Sequence, residues 1–575
     1  MARFPALSGN QPPDTATFFA RLACTAVLAV AMCVGVSANA QQPQVQVATA
    51  VSTADAGCGK CHKEILQSYL ATPMANASGL AVDRLKTGTF EHKLSGVQYT
   101  LSLEGTQPIL SYKDLKQDPK APEIAARWKL EYFLGSGHLG LTYLYSLDSY
   151  LFESPIAYYS ASHSLDLKPG LESMQQAPPG LPVQAECLRC HMSQVQHSDA
   201  GTINRYSGLP FLHAGITCES CHGDTRQHAA TGGKAALVNP SKLDAGRRDS
   251  VCISCHLEGD ISVERAGHSA LDFKAGDSIS DYLAYFVYSG QVGTKRGVSE
   301  VEQLSQSVCK RTSGDAMSCM SCHDPHYSPK PEEQAAFYRK KCLACHTGAA
   351  FATAHHAENP DCTSCHMPRS GADNIPHVAW TDHRILKNPE RPEVVAKDSN
   401  ARASDGDTLV PVFSPGISAR DTALAYYKGL LEGNFALQQK AYQGLEAIKP
   451  SLPGDEDALV ALGILSVERG DYKQAQELLQ EVLKLDPGNL IALSNLGTLL
   501  AKSGDLQAAI SLWRPAFERN KDVAGLAKNL AQVECIAGDP AAARTTLQKT
   551  LQYNPGLRDI RQMLSRLPDC SPQKQ

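Results

Sequence analysis

Cys187-Leu-Arg-Cys190-His191, Cys218-Glu-Ser-Cys221-His222, Cys252-Ile-Ser-Cys255-His256, Cys319-Met-Ser-Cys322-His323, Cys342-Leu-Ala-Cys345-His346 and Cys362-Thr-Ser-Cys365-His366 occupy the middle of the chain. A seventh copy, Cys58-Gly-Lys-Cys61-His62, stands upstream. Two thiols three positions apart can each form a thioether to one vinyl group of a porphyrin. The adjacent histidine is then held beneath the iron as its proximal ligand. A redox Cys-x-x-Cys needs one copy and no following histidine, and a zinc ribbon does not require histidine after every knuckle. Seven complete copies therefore predict seven covalently attached haem c groups. The attaching residues are Cys58, Cys61, Cys187, Cys190, Cys218, Cys221, Cys252, Cys255, Cys319, Cys322, Cys342, Cys345, Cys362 and Cys365, and the proximal ligands are His62, His191, His222, His256, His323, His346 and His366.

From Cys187 onward the motif starts lie 31, 34, 67, 23 and 20 residues apart. Segments that short hold a turn of helix and a loop, with little room for a hydrophobic core. The haems are expected to serve as the core, and the segment to be unfolded without them.

The chain has 575 residues, too many for one core, and a formal charge of −5, which argues against a nucleic-acid binder. Residues 1–40 read as an export signal: Arg3 and Arg21 precede the apolar run Leu22 to Val36, and Ala38-Asn39-Ala40 offers a cleavage site after Ala40. That run is shorter than the roughly 20 residues needed to span a bilayer, so no transmembrane span is expected in the mature chain. A periplasmic or otherwise exported protein agrees with covalent haem attachment. Of 19 cysteines, two lie in the signal and 14 in the motifs, which leaves Cys309, Cys535 and Cys570. Cys535 and Cys570 are the expected disulfide pair in an oxidising compartment.

Taken in order, 41–54 is a linker and 55–385 the haem-bearing domain, with a probe of regular structure first at a short helix, Lys63 to Ala71. A small antiparallel β insertion is expected at about 85–165, from apolar and aromatic runs over His92 to Leu103, Ile109 to Lys113, Trp128 to Leu134, Leu139 to Leu147 and Tyr150 to Tyr159. The proline-bearing stretch 386–419 reads as a second linker. Beyond it Gly470-Asp471, Gly504-Asp505 and Gly538-Asp539 recur every 34 residues, as do Ala475, Ala509 and Ala543. That period marks tetratricopeptide repeats, predicted over 420–570 with a capping helix at Leu557 to Leu567. Such an α-solenoid is expected to be a separable module that docks a redox partner protein. The fold class is mainly α: a haem-cored domain with a β insertion, followed by the solenoid.

An iron held by one histidine needs a second axial ligand unless it binds substrate. Candidates are His92, His228, His326, His355, His356, His377, His383 and Met74. Pro325 holds His326 rigidly after Cys322-His323-Asp324, and Met74 would raise the potential of the first haem. Gly215-Ile216-Thr217-Cys218-Glu219-Ser220-Cys221-His222-Gly223, Cys322-His323-Asp324-Pro325-His326 and Thr381-Asp382-His383-Arg384-Ile385, followed by the repeats, resemble the cytochrome c-552/c-554-like multihaem proteins. The resemblance implies closely stacked haems exchanging electrons in an exported protein. Related enzymes reduce nitrite or oxidise hydroxylamine, and the nitrite reductases usually carry a Cys-x-x-Cys-Lys catalytic haem that this chain lacks. Two functions stay open: an electron relay, or an oxidoreductase acting on a small nitrogen or sulfur compound at one five-coordinate haem.

Overall fold

The computed structural model describes residues 55–116, 123–289, 296–348, 361–372, 374–375, 377–387, 408–413 and 416–567. The signal, the first linker, His355, His356 and Cys570 lie outside them. Cys535 is disulfide-bonded.

The β insertion is larger than the sequence suggests. Gly88–His92, Val97–Glu104, Gln107–Asp114 and Ala125–Lys129 form one four-stranded antiparallel sheet. A second, seven-stranded sheet runs from Ser78–Leu80 through Tyr132–Leu134, Gly140–Leu147 and Tyr150–Glu153 to Leu181–Pro182. Ile156–Tyr159 and Ser164–Leu167 branch from its middle strand. Val97, Tyr99 and Leu101 alternate inward as a half-buried strand must. The hairpin between Gly140–Leu147 and Tyr150–Glu153 closes through Asp148 and Ser149, both at positive φ (50° and 70°), as a two-residue turn matched to strand twist requires. Tyr99, Tyr112, Trp128, Tyr143, Tyr145 and Phe152 share one buried cluster, so this part has a conventional core.

The later part of the haem-attachment segment, 288–377, has almost none, whereas around the second and fourth motifs Leu188, Met192 and Phe211, and Ile253, Leu257 and Ile279, are buried in clusters. Apart from Pro329, no aliphatic or aromatic side chain between Val287 and Val378 is buried among the described residues. Each motif instead forms or ends a short helix, such as Cys218–His222, Ala245–His256, Cys319–Cys322 and Cys362–His366. Local caps start them: Asp361 accepts from the backbone N–H of Thr363 and Ser364, and Asp244 from that of Arg247.

The repeats form four helix pairs from Ala419–Leu431 to Pro540–Tyr553, closed by Arg558–Arg566. Their phase has a direct physical origin. Gly470, Gly504 and Gly538 take φ of 81°, 89° and 89° to end one helix. The next residue, Asp471, Asp505 or Asp539, then caps the following helix by accepting from the N–H of Gln474, Ala508 or Ala542 at 3.0, 3.1 and 2.9 Å. Ala475, Ala509 and Ala543 are fully buried where the paired helices cross.

Two expectations need correction. Residues 386–419 are not all linker, because Leu409–Pro411 pairs with Leu283–Tyr288 in a three-stranded sheet whose third strand is Ile261–Glu264. Nor does the solenoid stand apart. Ile261, Val263, Ala284 and Phe286 share a buried cluster with Ala423, Leu424 and Leu430 of the first repeat. The Arg265–Asp421 ion pair and Arg420, donating to the Glu264 carbonyl at 2.6 Å, tighten this joint. At the other end Arg558 forks onto Asp114, and Tyr553 donates to Asp148 at 3.0 Å. Between these ends Asn520 donates to the Gly201 carbonyl at 2.9 Å, and Tyr150 to that of Arg519 at 2.6 Å. The solenoid thus bridges the β region and the haem segment along its inter-repeat loops.

Candidate haem-binding site

Motifs one to five open onto one cavity of about 3790 Å³. A site for a single small molecule is typically about 300–1,000 Å³, so this space is several sites wide. Its walls carry Cys58, Cys61, Cys187, Cys190, Cys218, Cys221, Cys252, Cys255 and Cys319, with His62, His191, His222, His256 and His323. No described motif cysteine is disulfide-bonded, which keeps the thiols available for thioethers.

Three of these histidines are faced by a second imidazole. His62 and His228 have ring centroids 6.4 Å apart, His222 and His326 5.9 Å, and His323 and His383 6.3 Å. Imidazole nitrogens bind a metal at about 2 Å, so one metal bridging two trans imidazoles places their centroids about 6 Å apart. The pairs therefore fit an iron between them. Tautomers agree as well. A carbonyl oxygen only accepts, so the ring nitrogen facing it must carry the proton. Nδ1 of His222 donates to Val238 at 2.8 Å, of His228 to Ala235 at 2.9 Å, of His383 to Thr381 at 2.9 Å and of His366 to Leu386 at 2.6 Å. Nε2 is thereby left with its lone pair available to a metal.

Electrostatics keep the ligating form neutral. Desolvation, with help from His383 and His256, holds the His323 imidazole down at about 4. Desolvation also lowers His191, and desolvation with His222 lowers His326. A protonated imidazole could not ligate iron, so these shifts favour metal binding.

The facing histidines follow a rule that spacing did not reveal. His228 comes just after the third motif but faces the first, His326 comes after the fifth but faces the third, and His383 comes after the seventh but faces the fifth. The first, third and fifth sites are each faced by a histidine from the segment that carries the next odd-numbered motif.

Other candidates stand differently. His92 is a correction: it ends a β-strand, with Nδ1 at 2.8 Å from Ser95 Oγ and Nε2 at 3.1 Å from the Glu172 carbonyl, and neither nitrogen is left for iron. His377 pairs its Nε2 with Asp166 at 2.7 Å beside Tyr159, which leaves Nδ1. Met74 lines the cavity and packs on Tyr69 and Ala75. Sequence reasoning missed Asp55. Its backbone carbonyl accepts from the N–H of Cys58 at 2.9 Å while its carboxylate accepts from that of Cys218 at 3.1 Å, clamping the first motif to the third. An acidic residue three positions before a motif was the available signal.

Known proteins share these parts. Residues 158–223 match the family described as cytochrome c554 and c-prime, 312–351 match the doubled CXXCH motif, and 466–533 match the tetratricopeptide repeat. The chain is a multihaem c-type cytochrome carrying tetratricopeptide repeats. It is similar to multiheme cytochrome MtrA of Shewanella baltica, 26% identical over 28% of this chain and 51% of that protein. It is also similar to cytochrome c-type protein NrfB of Escherichia coli, 34% identical over 13% of this chain and 38% of that one. The chain thus spans about half or less of the length of these relatives. Among solved structures the chain is similar to MamA of Desulfovibrio magneticus RS-1, at 20% identity and TM-score 0.24, over 26% of this chain and 86% of that one. Among the described residues no helix is long and apolar enough to cross a membrane.

Proposed function

We propose that this cytochrome is an exported electron relay holding seven covalently attached haems, with His228, His326 and His383 as the distal ligands opposite His62, His222 and His323. The observation that carries this reading is the set of three facing imidazole pairs, since a second histidine on an iron closes it to substrate and leaves outer-sphere electron transfer as its work. When bound, haem supplies one-electron redox chemistry at iron. The chain's own part is positional. Cysteine pairs fix each porphyrin edge, Nδ1 contacts to Val238, Ala235 and Thr381 fix the ring orientations, and Asp55 ties neighbouring motifs together. The repeats support protein–protein contact, and a redox partner is the proposed ligand of the solenoid face not docked on the cytochrome.

A second reading, an oxidoreductase acting on a small nitrogen or sulfur compound, is favoured at one place. His191 is enclosed, and among the described residues no second imidazole faces it, as none faces the more exposed His256. The half-buried Glu153–Lys168 ion pair lies on the same wall. Electron paramagnetic resonance of the oxidised, exported protein distinguishes the two. A relay gives only low-spin signals, whereas a stoichiometric high-spin signal would favour chemistry at one open haem. Pyridine haemochrome absorbance should return seven haems per chain.

A further inference from the structure

Among the described residues nine histidines line the cavity. Five are the proximal residues of motifs one to five, and His228, His326 and His383 face three of those. The ninth is His138, which belongs to no motif and to none of the three pairs. Two proximal imidazoles, His191 and His256, have no facing ring among the described residues. One unassigned imidazole therefore shares the space with two haem sites short of a sixth ligand. His92 has both ring nitrogens engaged, whereas among the described residues no hydrogen bond holds the ring of His138.

The chain builds His138 into that wall with some care for backbone shape. Tyr132–Leu134 and Gly140–Leu147 are paired strands, and His138 stands in the hairpin loop that joins them. Gly135 and Gly137 take φ of 96° and 84°, a region closed to most side chains. A Cβ on Gly135 would stand 2.5 Å from the Gly140 carbonyl oxygen. The Arg84 guanidinium donates to the Ser136 carbonyl, and the Ser160 hydroxyl donates to that of Gly137 at 2.7 Å. The backbone leading into His138 is thus fixed, while its side chain stays exposed at the cavity rim, free to change rotamer.

The same hairpin is tied to the second motif. Gly135 donates its N–H to the Ala77 carbonyl at 2.8 Å, Leu134 pairs in register with Ser78, and the Ser78 hydroxyl donates to the His191 carbonyl at 2.7 Å. Leu188 and Met192, on either side of Cys190 and His191, share a buried cluster with Leu134 and Leu144 of the two strands. The fourth motif lies elsewhere: Ile253 and Leu257, which flank Cys255 and His256, cluster with Leu283 and Tyr285 of the three-stranded sheet. We propose that His138 is the distal ligand of the second haem, opposite His191. The assignment rests on haem being attached at the second motif, as proposed above. The ring turns in from the rim to the iron, which an imidazole nitrogen meets at about 2 Å. The first, third and fifth sites are faced from later segments, whereas the second is faced from the β insertion that precedes it. With His138 bound, the second haem is closed to substrate and takes its place in the relay.

The test uses oxidised, full-length, haem-loaded protein. His138→Ala should keep the wild-type haem content by pyridine haemochrome and convert one haem per chain from low to high spin by electron paramagnetic resonance. Added imidazole should return that haem to low spin. In a Cys187→Ala/Cys190→Ala background, which removes attachment at the second motif, adding His138→Ala should leave the spectrum of the remaining haems unchanged. A new high-spin haem in that background overturns the assignment to the second motif. An all-low-spin wild type with an unchanged His138→Ala spectrum overturns the ligand role and leaves the relay standing. A stoichiometric high-spin signal in wild type that His138→Ala does not alter overturns both. Where a variant accumulates with too few haems, an experimental structure of the wild-type holoprotein decides: a His138 ring nitrogen on the second iron supports the proposal, and one on another iron or in solvent overturns it.

Discussion

Between Glu456 and Lys502 almost every inward position of three successive helices is a buried Leu, Val or Ala, whereas between Val287 and Val378 Pro329 alone among the described aliphatic and aromatic side chains is buried. The two stretches belong to one chain and face the same entropy cost of ordering, about 1–2 kcal/mol per residue for backbone alone. The repeats offset it with protein side chains. The attachment segment arranges its helices around a cavity wide enough for several porphyrins. The difference teaches that a stretch lacking apolar content can still specify a fold when its thiols and imidazoles are spaced for a large apolar cofactor.

The strongest way to break this comparison is to withhold haem. Full-length chain made without haem maturation should show rapid hydrogen exchange through 296–348 while the helices from Glu456–Glu468 to Pro540–Tyr553 stay protected. Equal protection in both regions would mean that the attachment segment has a core of its own. Next comes the joint that ties the regions together. Phe286 is 1% exposed in the cluster shared with the first repeat. Phe286→Ala should cost about 3–5 kcal/mol in denaturant unfolding of the holoprotein. A cost under about 1 kcal/mol, the range of ordinary surface substitutions, would show that the solenoid is a loosely tethered module after all.

The far end of the solenoid offers a gentler, pH-dependent probe. Asp522 packs beside Asn204 at the joint between the repeats and the β region, and burial raises its carboxyl to about 6. A carboxyl raised above its unfolded value of about 4 favours folding when protonated. The benefit is complete below pH about 4, fades between pH 4 and 6, and is gone above 6, where the chain instead holds a buried charge. Asp522→Asn should therefore stabilise the protein at pH 7 by about 2 kcal/mol and flatten the stability profile between pH 4 and 6. An unchanged profile would remove Asp522 from the joint's electrostatics. Arg558→Ala, which breaks a partly exposed fork onto Asp114, should have the smallest effect, about 1 kcal/mol in thermal or denaturant unfolding.

How legible these regions were follows from where their information lies. Repeats are read from local spacing, because Gly504 ends one helix, Asp505 caps the next and Ala509 sits at their crossing within six residues. Attachment cysteines are local too. The facing histidines are not: His383 follows the strand pair Arg369–Gly371 and Ala379–Thr381, and its backbone N–H donates to Gln303, 80 residues away, at 2.9 Å. His92 looked like a free ligand, yet Ser95 and Glu172 take both its nitrogens. Docking of the solenoid was invisible because Gly556 reads as an ordinary repeat loop. In the structure a Cβ there would stand 2.0 Å from the Tyr112 hydroxyl, so the loop is shaped to its neighbour. The strand Leu409–Pro411 was hidden among prolines, and edge position is what lets Pro411 remain in a sheet. Alternation over Val97–Glu104 announced strands without saying how many sheets they would build.

Paired histidines are the centre of the relay, and His326 is the pair member with the tightest geometry, its ring 5.9 Å from His222 with planes 3° apart. The most direct measurement is electron paramagnetic resonance of the oxidised, fully haem-loaded His326→Ala protein against wild type. The relay requires that haem content stay the same, that one haem per chain change from low to high spin, and that this haem gain rapid binding of cyanide. A stoichiometric high-spin signal already present in wild type would contradict the relay, whereas an unchanged mutant spectrum with full haem content would contradict only the pairing of His326 with His222, because the third-motif iron would then be closed by some other group.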